Sequence, residues 1–466
     1  MRPAQSMNFL VKTLISICLL TTCLAPARAQ VGSAPERTRL LNELQVLLST
    51  TPGAQEVLLK LRIHSGAAFD LEGKAGTMAL LGDLLFPDPN TREYFTGEMQ
   101  GRLSVLTDYD SITITMQGRA REFERMIEIL RTALVTTELT PAYITKMRDS
   151  RTKIVRETSA LPATVADRAI AARLFGDFPY GRPHSGTVES LGRVERADVM
   201  LARDRFLNPN NSTLVIIGDV QPARARRALR QILGIWRKSE AVVPSTFRQP
   251  ALPDSRTLLV NAAGDLSVEV RLAARGFSRR DPDAPAATLL AIVARERWEK
   301  LLPELSRGPV FVRSDTYALP GMFVMGATVD NLLAGKALTT AREAFKSLAT
   351  TPVSAAELVD AKNEAAAFAS KDLAKPDGKA DVWLDVDTYK LAADLDPVRV
   401  LNALSVEDLR RAASRLVDER GIATVVVGKS ELIKPQIEQT GKVELMGEME
   451  PKPQAKPDAK STPAKP

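Results

Sequence analysis

The chain has 466 residues, 44% hydrophobic and 26% charged, with 63 basic against 56 acidic side chains and a formal net charge of +7. That length and balance predict two or more globular domains with enough apolar material for a core. Two cysteines exclude a disulfide framework and a cysteine-rich zinc module, and two histidines, His64 and His184, are too far apart in sequence to form a His-x-x-Glu-His helix pair.

Arg2 and Lys12 lead into the apolar run Leu14–Leu20, and Ala27-Arg28-Ala29 follows. A basic start, a short apolar stretch and an A-x-A site predict a signal peptide over residues 1–29 and an exported, periplasmic protein. The run is too short for a membrane span. An uncleaved anchor fits less well, and so does lipid attachment at Cys23, where Thr22 stands in place of a small residue. Cleavage removes both cysteines together with Arg2, Lys12 and Arg28, leaving a charge of +4 and no possible disulfide. So even a balance does not point to nucleic acid. No later stretch reaches the length of an apolar membrane helix.

The elements that follow occur twice. Val57–Ile63 alternates in part and reads as a strand ending at Ser65-Gly66, followed by Asp70 and a helix rich in Ala and Leu. Ser111–Gln117 reads as a strand, Arg121–Val135 and Pro141–Ser159 as helices, and Ser190–Phe206 as one amphipathic helix leading to the strand Ser212–Asp219. Pro222 opens a further helix carrying Arg224, Arg226, Arg227 and Arg230, which reads as a solvated face in preference to a polyanion site. Lys238–Ser255, with Pro244, Pro250 and Pro253, reads as a linker. The series then repeats: strand Val268–Ala274 ending near Gly276, strand Met322–Val329, helices Ala337–Leu348 and Ala355–Ser370, a helix to Val417, and strand Ala423–Lys429. Gly66 and Gly276, Asp198 and Asp408, and Gly218 and Gly428 are each 210 positions apart. An internal duplication at a fixed offset accounts for this. The predicted fold is α+β: two homologous α/β sandwich domains, residues 30–237 and 256–446, joined by the linker 238–255. Residues 447–466 are rich in Pro, Lys and Ala, and their composition predicts a disordered tail.

Four segments resemble the insulinase/pitrilysin metallopeptidase family. Arg37–Leu47 is similar to its opening strand, and Gly66–Gly76 to the turn before its catalytic helix. Phe175-Gly176-Asp177-Phe178-Pro179-Tyr180-Gly181-Arg182-Pro183 resembles its F-G-x-x-P-Y-G-x-P segment, and Phe206–Val220 the stretch that closes its first domain. The resemblance covers roughly Arg37 to Leu445 and implies two related α+β domains, in agreement with the repeat.

The resemblance also implies a zinc helix bearing His-x-x-Glu-His, in which two histidines one turn apart hold the metal and the glutamate activates its water. Aligned on Gly76 and Leu85-Phe86, this chain places Ala79 and Asp83 at the histidine positions and Gly82 at the base. Glu157 falls where the family has its third ligand. Catalytic zinc takes three protein ligands, so no catalytic residue and no metal ligand set is expected here. The family's substrate-orienting arginine and tyrosine fall on Glu304 and Phe311, with Arg313 and Tyr317 as substitutes if the alignment shifts. No Walker A loop, G-x-G-x-x-G turn or G-x-S-x-G elbow is present.

The reading is therefore an exported pseudo-peptidase, the non-catalytic subunit of a heteromeric zinc peptidase. Its expected partners are a homologous subunit carrying the zinc motif, with zinc only in that partner, and a peptide substrate. A non-enzymatic scaffold on the same fold, or a peptidase with an atypical metal site, are the alternatives.

Overall fold

A computed structural model describes residues 34–240, 247, 248, 250–262 and 267–446. The signal peptide expected over residues 1–29 and the tail expected over 447–466 lie outside these residues.

In the first half the strands are β1 (Glu36–Arg39), β2 (Gln45–Thr50), β3 (Glu56–Ile63), β4 (Arg102–Thr107), β5 (Ile112–Arg119) and β6 (Ser212–Gly218). The helices are α1 (Thr77–Leu84), α2 (Pro89–Gly97), α3 (Phe123–Arg131), α4 (Pro141–Ser159), α5 (Pro162–Phe175), α6 (Val188–Gly192), α7 (Arg196–Phe206) and α8 (Pro222–Ile232). The second half has β7 (Thr257–Asn261), β8 (Ser267–Arg275), β9 (Val310–Asp315), β10 (Met322–Asp330), β11 (Ala423–Gly428) and β12 (Val443–Leu445). Its helices are α9 (Ala284–Leu301), α10 (Ala334–Thr350), α11 (Ala355–Leu373), α12 (Pro376–Tyr389), α13 (Pro397–Ala403), α14 (Val406–Leu416) and α15 (Ser430–Glu438).

Each half builds one mixed six-stranded sheet, ordered β1-β2-β6-β3-β5-β4 and β12-β7-β11-β8-β10-β9. In both, a central strand from the end of the half (β6, β11) lies antiparallel to an early one (β3, β8). The duplicated order of elements read from the sequence is thus the order of the fold.

Two predicted elements are each broken in two. Arg37–Leu47 is not one strand but the β1–β2 hairpin. Glu43 takes a positive φ of 71° in its turn, and Leu40 N–H donates back to the Leu44 carbonyl at 3.0 Å. Ser190–Phe206 is split into α6 and α7. Thr187 caps the first and Glu195 the second, each in a reciprocal capping box, and Arg193–Val194 between them leave the helical path.

The sheets are buried on both faces, and the second face explains the partial alternation of the strands. On β3, Val57, Leu59, Leu61 and Ile63 face the helices of their own half. Leu58, Lys60 and Arg62 face the other way, towards α12 of the second half: Leu58 packs in one cluster with Trp383 and Leu384. Lys60 lies 3.1 Å from Asp377, and Arg62 Nη1 donates to Asp385 at 2.6 Å. The second sheet is covered the same way by α5 of the first half, where Ala166, Ile170 and Leu174 pack on Ala273, Val425 and Val427. Each half therefore lends a helix to the other's sheet. The described residues from Pro35 onward group as a single compact unit.

Candidate functional site

The site implied by the resemblance is carried by α1, and its geometry starts with Asp70. This buried carboxylate accepts from the Gly76 N–H at 2.6 Å and the Met78 N–H at 2.8 Å, satisfying two free donors at the start of α1. Burial pushes its pKa up to about 7, against the pull of those two hydrogen bonds. Gly76 adopts a φ of +93°, and a Cβ there would meet Gly186 Cα at 2.8 Å and Leu191 Cδ2 at 2.9 Å. The helix start is thus wedged against the turn after the Pro-Tyr-Gly segment, and only glycine fits.

Ala79, Gly82 and Asp83 follow on α1. Ala79 is 2% exposed and offers no donor atom. Gly82 sits hard on the edge strand β4: a Cβ would come within 2.8 Å of Thr107 Oγ1 and 3.3 Å of Val105 Cγ1. The space a glutamate base needs is filled by the strand. Both oxygens of Asp83 are taken by Arg151 of α4, from Nε at 2.6 Å and Nη2 at 2.8 Å. This is the bidentate, charge-assisted geometry that guanidinium and carboxylate favour. Glu157, further along α4, is exposed and makes no ion pair among the described residues. The carboxylate of Asp83 is thus neutralised by Arg151, and Glu157 stands apart from that pair.

These residues do not fit a catalytic zinc. Two of the four positions carry no ligand atom, and a third is engaged by a guanidinium. Among the described residues no group of three or more His, Cys, Asp and Glu side chains is arranged to hold a metal ion. His64 lies between two threonines, with Nε2 2.9 Å from Thr213 Oγ1 and Nδ1 3.0 Å from Thr388 Oγ1. Burial depresses its pKa to about 4. His184 is exposed and stands edge-on to Tyr109, with ring centroids 5.7 Å apart.

In the second half, Glu304 lies 3.8 Å from Lys336, and its Oε2 is buried without a hydrogen bond. Phe311 on β9 lies between two guanidinium groups, Arg313 at 4.8 Å and Arg271 at 5.1 Å from its ring centre. These two positions are therefore engaged with different neighbours. Arg313 and Tyr317, the substitutes, line a shared cleft of about 320 Å³ together with Tyr109, His184 and Arg168.

Beside that cleft lies a carboxylate that the sequence did not single out. Asp110, in the β4–β5 turn, accepts from Tyr180 Oη at 3.1 Å, Tyr389 Oη at 3.1 Å and the Ala318 N–H at 2.7 Å. The last two belong to the second half, so one side chain ties both halves together. Burial raises its pKa to about 6. The signal available beforehand was the Asp108-Tyr109-Asp110-Ser111 turn, polar residues between two strands. Arg151 was also missed, although helical periodicity places it one turn before buried Val155, on the inward face of α4.

The sequence profile for "Insulinase (Peptidase family M16)" matches residues 45–188, and that for "Peptidase M16 inactive domain" matches residues 193–365. No curated protein matches. Among solved structures, the chain is similar to a protease from Helicobacter pylori at 16% identity and a TM-score of 0.78, covering 85% of this chain and 100% of that one. It is similar to a peptidase M16 inactive domain from Pseudomonas fluorescens at 17% identity and TM-score 0.73, covering 84% and 97%. A chain of Complex III2 from Candida albicans matches at 17% and 0.72, covering 87% and 99%. At such identities the solved structures speak for the fold alone; together with the two profiles, they place the chain in the insulinase family, peptidase family M16.

Proposed function

We propose that this chain is an exported M16 pseudo-peptidase, acting as the non-catalytic subunit of a two-chain zinc peptidase. A homologous partner bearing His-x-x-Glu-His supplies zinc and base, and this chain supplies the facing wall for a peptide substrate. The observation that carries the reading is the Asp83–Arg151 pair: the carboxylate that the resemblance aligns with a zinc-binding histidine is held by an internal cation. The packing of Gly82 against Thr107 supports it, because that position has no room for a base. The strand β4 lies at the edge of its sheet with Leu106 66% exposed, a position where an extended peptide can pair. The signal-like first 29 residues support export to the periplasm. The fold similarity to the first half of the periplasmic protease PqqL from Escherichia coli, at 15% identity and TM-score 0.67 over 87% of this chain and 94% of that one, agrees with it.

A second reading is a non-enzymatic scaffold on the same fold, a fold that a chain of Complex III2 from Candida albicans shares. A peptidase with an atypical metal site is disfavoured by the arginine on Asp83. Affinity purification from the native source, followed by elemental analysis and peptide cleavage, separates the three. Zinc and activity that travel with a copurifying zinc-motif homologue support the proposal. A partner without peptidase activity supports the scaffold. Stoichiometric zinc in this chain alone overturns both.

A further inference from the structure

A cavity of about 970 Å³ opens between the end of α5 with the Gly176–Pro179 segment on one side and β7, β12 and residues 250–254 on the other. It uses none of the residues of the α1 site. Its walls are largely apolar, with Phe175, Phe178, Phe247 and Leu258 among them. Its basic lining is Arg173, Arg182 and Arg248. Arg275 borders it, donating to the carbonyls of Leu174 and Ala251.

Among the described residues the charges do not balance. Of the three carboxylates in the lining, Asp254 and Glu444 are each shared between Arg173 and Arg256, and Asp177 is exposed. Arg182, Arg248 and Arg275 have no carboxylate within ion-pair distance among the described residues. The Nε atoms of Arg173, Arg182 and Arg275 are buried and have no hydrogen-bond acceptor among the described residues. Buried donors almost always find one, so three orphans around one cavity mark a shortage of acceptors among the described residues. Burial also lowers the pKa of Arg275, with no carboxylate to oppose it.

We propose that this cavity binds an apolar carboxylate, with the hydrocarbon against the phenylalanines and the carboxylate on Arg182 and Arg248. The volume lies in the range of small-molecule sites, which pair apolar walls with a few convergent polar groups. Guanidinium matches carboxylate in shape and charge, and the excess of arginine disfavours a cation. A fatty acid and the C-terminus of a hydrophobic peptide share this chemistry.

The test is calorimetric titration of the full mature chain with two acid and amide pairs: octanoate with octanamide, and Ala-Leu-Leu-Phe with a free or an amidated C-terminus. The expected result is that at least one acid binds at least tenfold tighter than its amide. Preference for octanoate identifies a fatty-acid source, and preference for the peptide acid identifies a peptide terminus. Arg182→Gln and Arg248→Gln should each weaken that acid about tenfold, the loss of one charged hydrogen-bonding group. Arg248 is exposed at the mouth, so its variant decides the matter if Arg182→Gln does not fold. Failure of both acids to bind, equal binding of acid and amide, or binding unchanged in Arg248→Gln overturns the proposal.

Discussion

The guanidinium of Arg271 on β8 meets the carboxylate of Asp167 on α5 at 2.7 Å, fastening the second sheet to a helix of the first half. Its counterpart is the contact of Lys60 on β3 with Asp381 on α12, also 2.7 Å. Lys60 and Arg271 stand at matching positions of the duplicated strands, and Asp167 and Asp381 at matching positions of the duplicated helices. The repeat has kept not only the elements but the ion pair that crosses between them.

The two members of the first pair should differ sharply in cost. Arg271 is buried and neutralises both Asp167 and Glu269, which is itself buried. Arg271→Ala leaves Glu269 buried without its cation and should destabilise the fold by about 3–5 kcal/mol. Asp167 is 42% exposed, and Arg271 keeps Glu269 when it is lost. Asp167→Asn should therefore cost under about 1 kcal/mol. Urea unfolding of the two variants checks this, and equal losses would contradict it.

The halves should not be separable. Without α12, residues Leu47, Leu58, Val215 and Ile217 lose their cover of Ala380, Trp383 and Leu384 and present an apolar sheet face. Two pieces split within 238–255 are expected to copurify as a 1:1 complex when coexpressed, whereas the first piece alone aggregates. Size-exclusion chromatography reads the outcome directly. A monomeric, soluble first piece would count against the exchanged-helix account.

Rebuilding the zinc motif by substitution alone should fail. Gly82→Ala already drives a methyl into Thr107 and Val105, and overpacking of this kind costs about 1–3 kcal/mol. Ala79→His with Gly82→Glu and Asp83→His also strips Arg151 of its carboxylate. The triple variant is expected to melt lower than the parent and to hold substoichiometric zinc by elemental analysis. One zinc per chain at unchanged thermal stability would show that β4 leaves more room than these distances allow.

His64 should make the fold sensitive to mild acid. Its folded pKa, about 4, lies below the ordinary value of 6.5, so the unfolded chain takes up the proton first. Its contribution is fully present above pH 6.5 and is lost as the pH falls towards 4. Asp70 and Asp110 act in the opposite sense, because their pKa values are raised to about 7 and about 6 and acidification stabilises the folded form through them. The informative quantity is a difference: the stability change of wild type from pH 7 to pH 5, less that of His64→Gln. Wild type should lose more than the variant on acidification; an identical response would remove His64 from the account.

Much of the fold was legible because the repeat punctuates it with glycine and aspartate, and α4 (Pro141–Ser159) was read to its ends. What the sequence could not display was the partner of each sheet's second face. Lys60 and Arg62 interrupt the apolar pattern of β3, and only the distant acidic stripe Asp377, Asp381 and Asp385 makes sense of them. At the site, the identities Ala79, Gly82 and Asp83 could be read directly, but not the engagement of Asp83 by Arg151. Glu157 drew attention through the resemblance, whereas the turn of the helix exposes it and points Arg151 inward. The broken helix at Arg193–Val194 had its signal in the Thr187–Ser190 and Glu195–Asp198 spacings, which mark two separate starts.

The exchanged helices also impose an order in time. The outer face of the first sheet is complete once Val215 and Ile217 have been made, yet Trp383 and Leu384 that close it come almost 170 residues later. At about 5–20 residues per second, the ribosome leaves that face bare for roughly 8–33 s. No native-like first half can wait quietly for the second during synthesis. The chain must remain unfolded or guarded until α12 emerges.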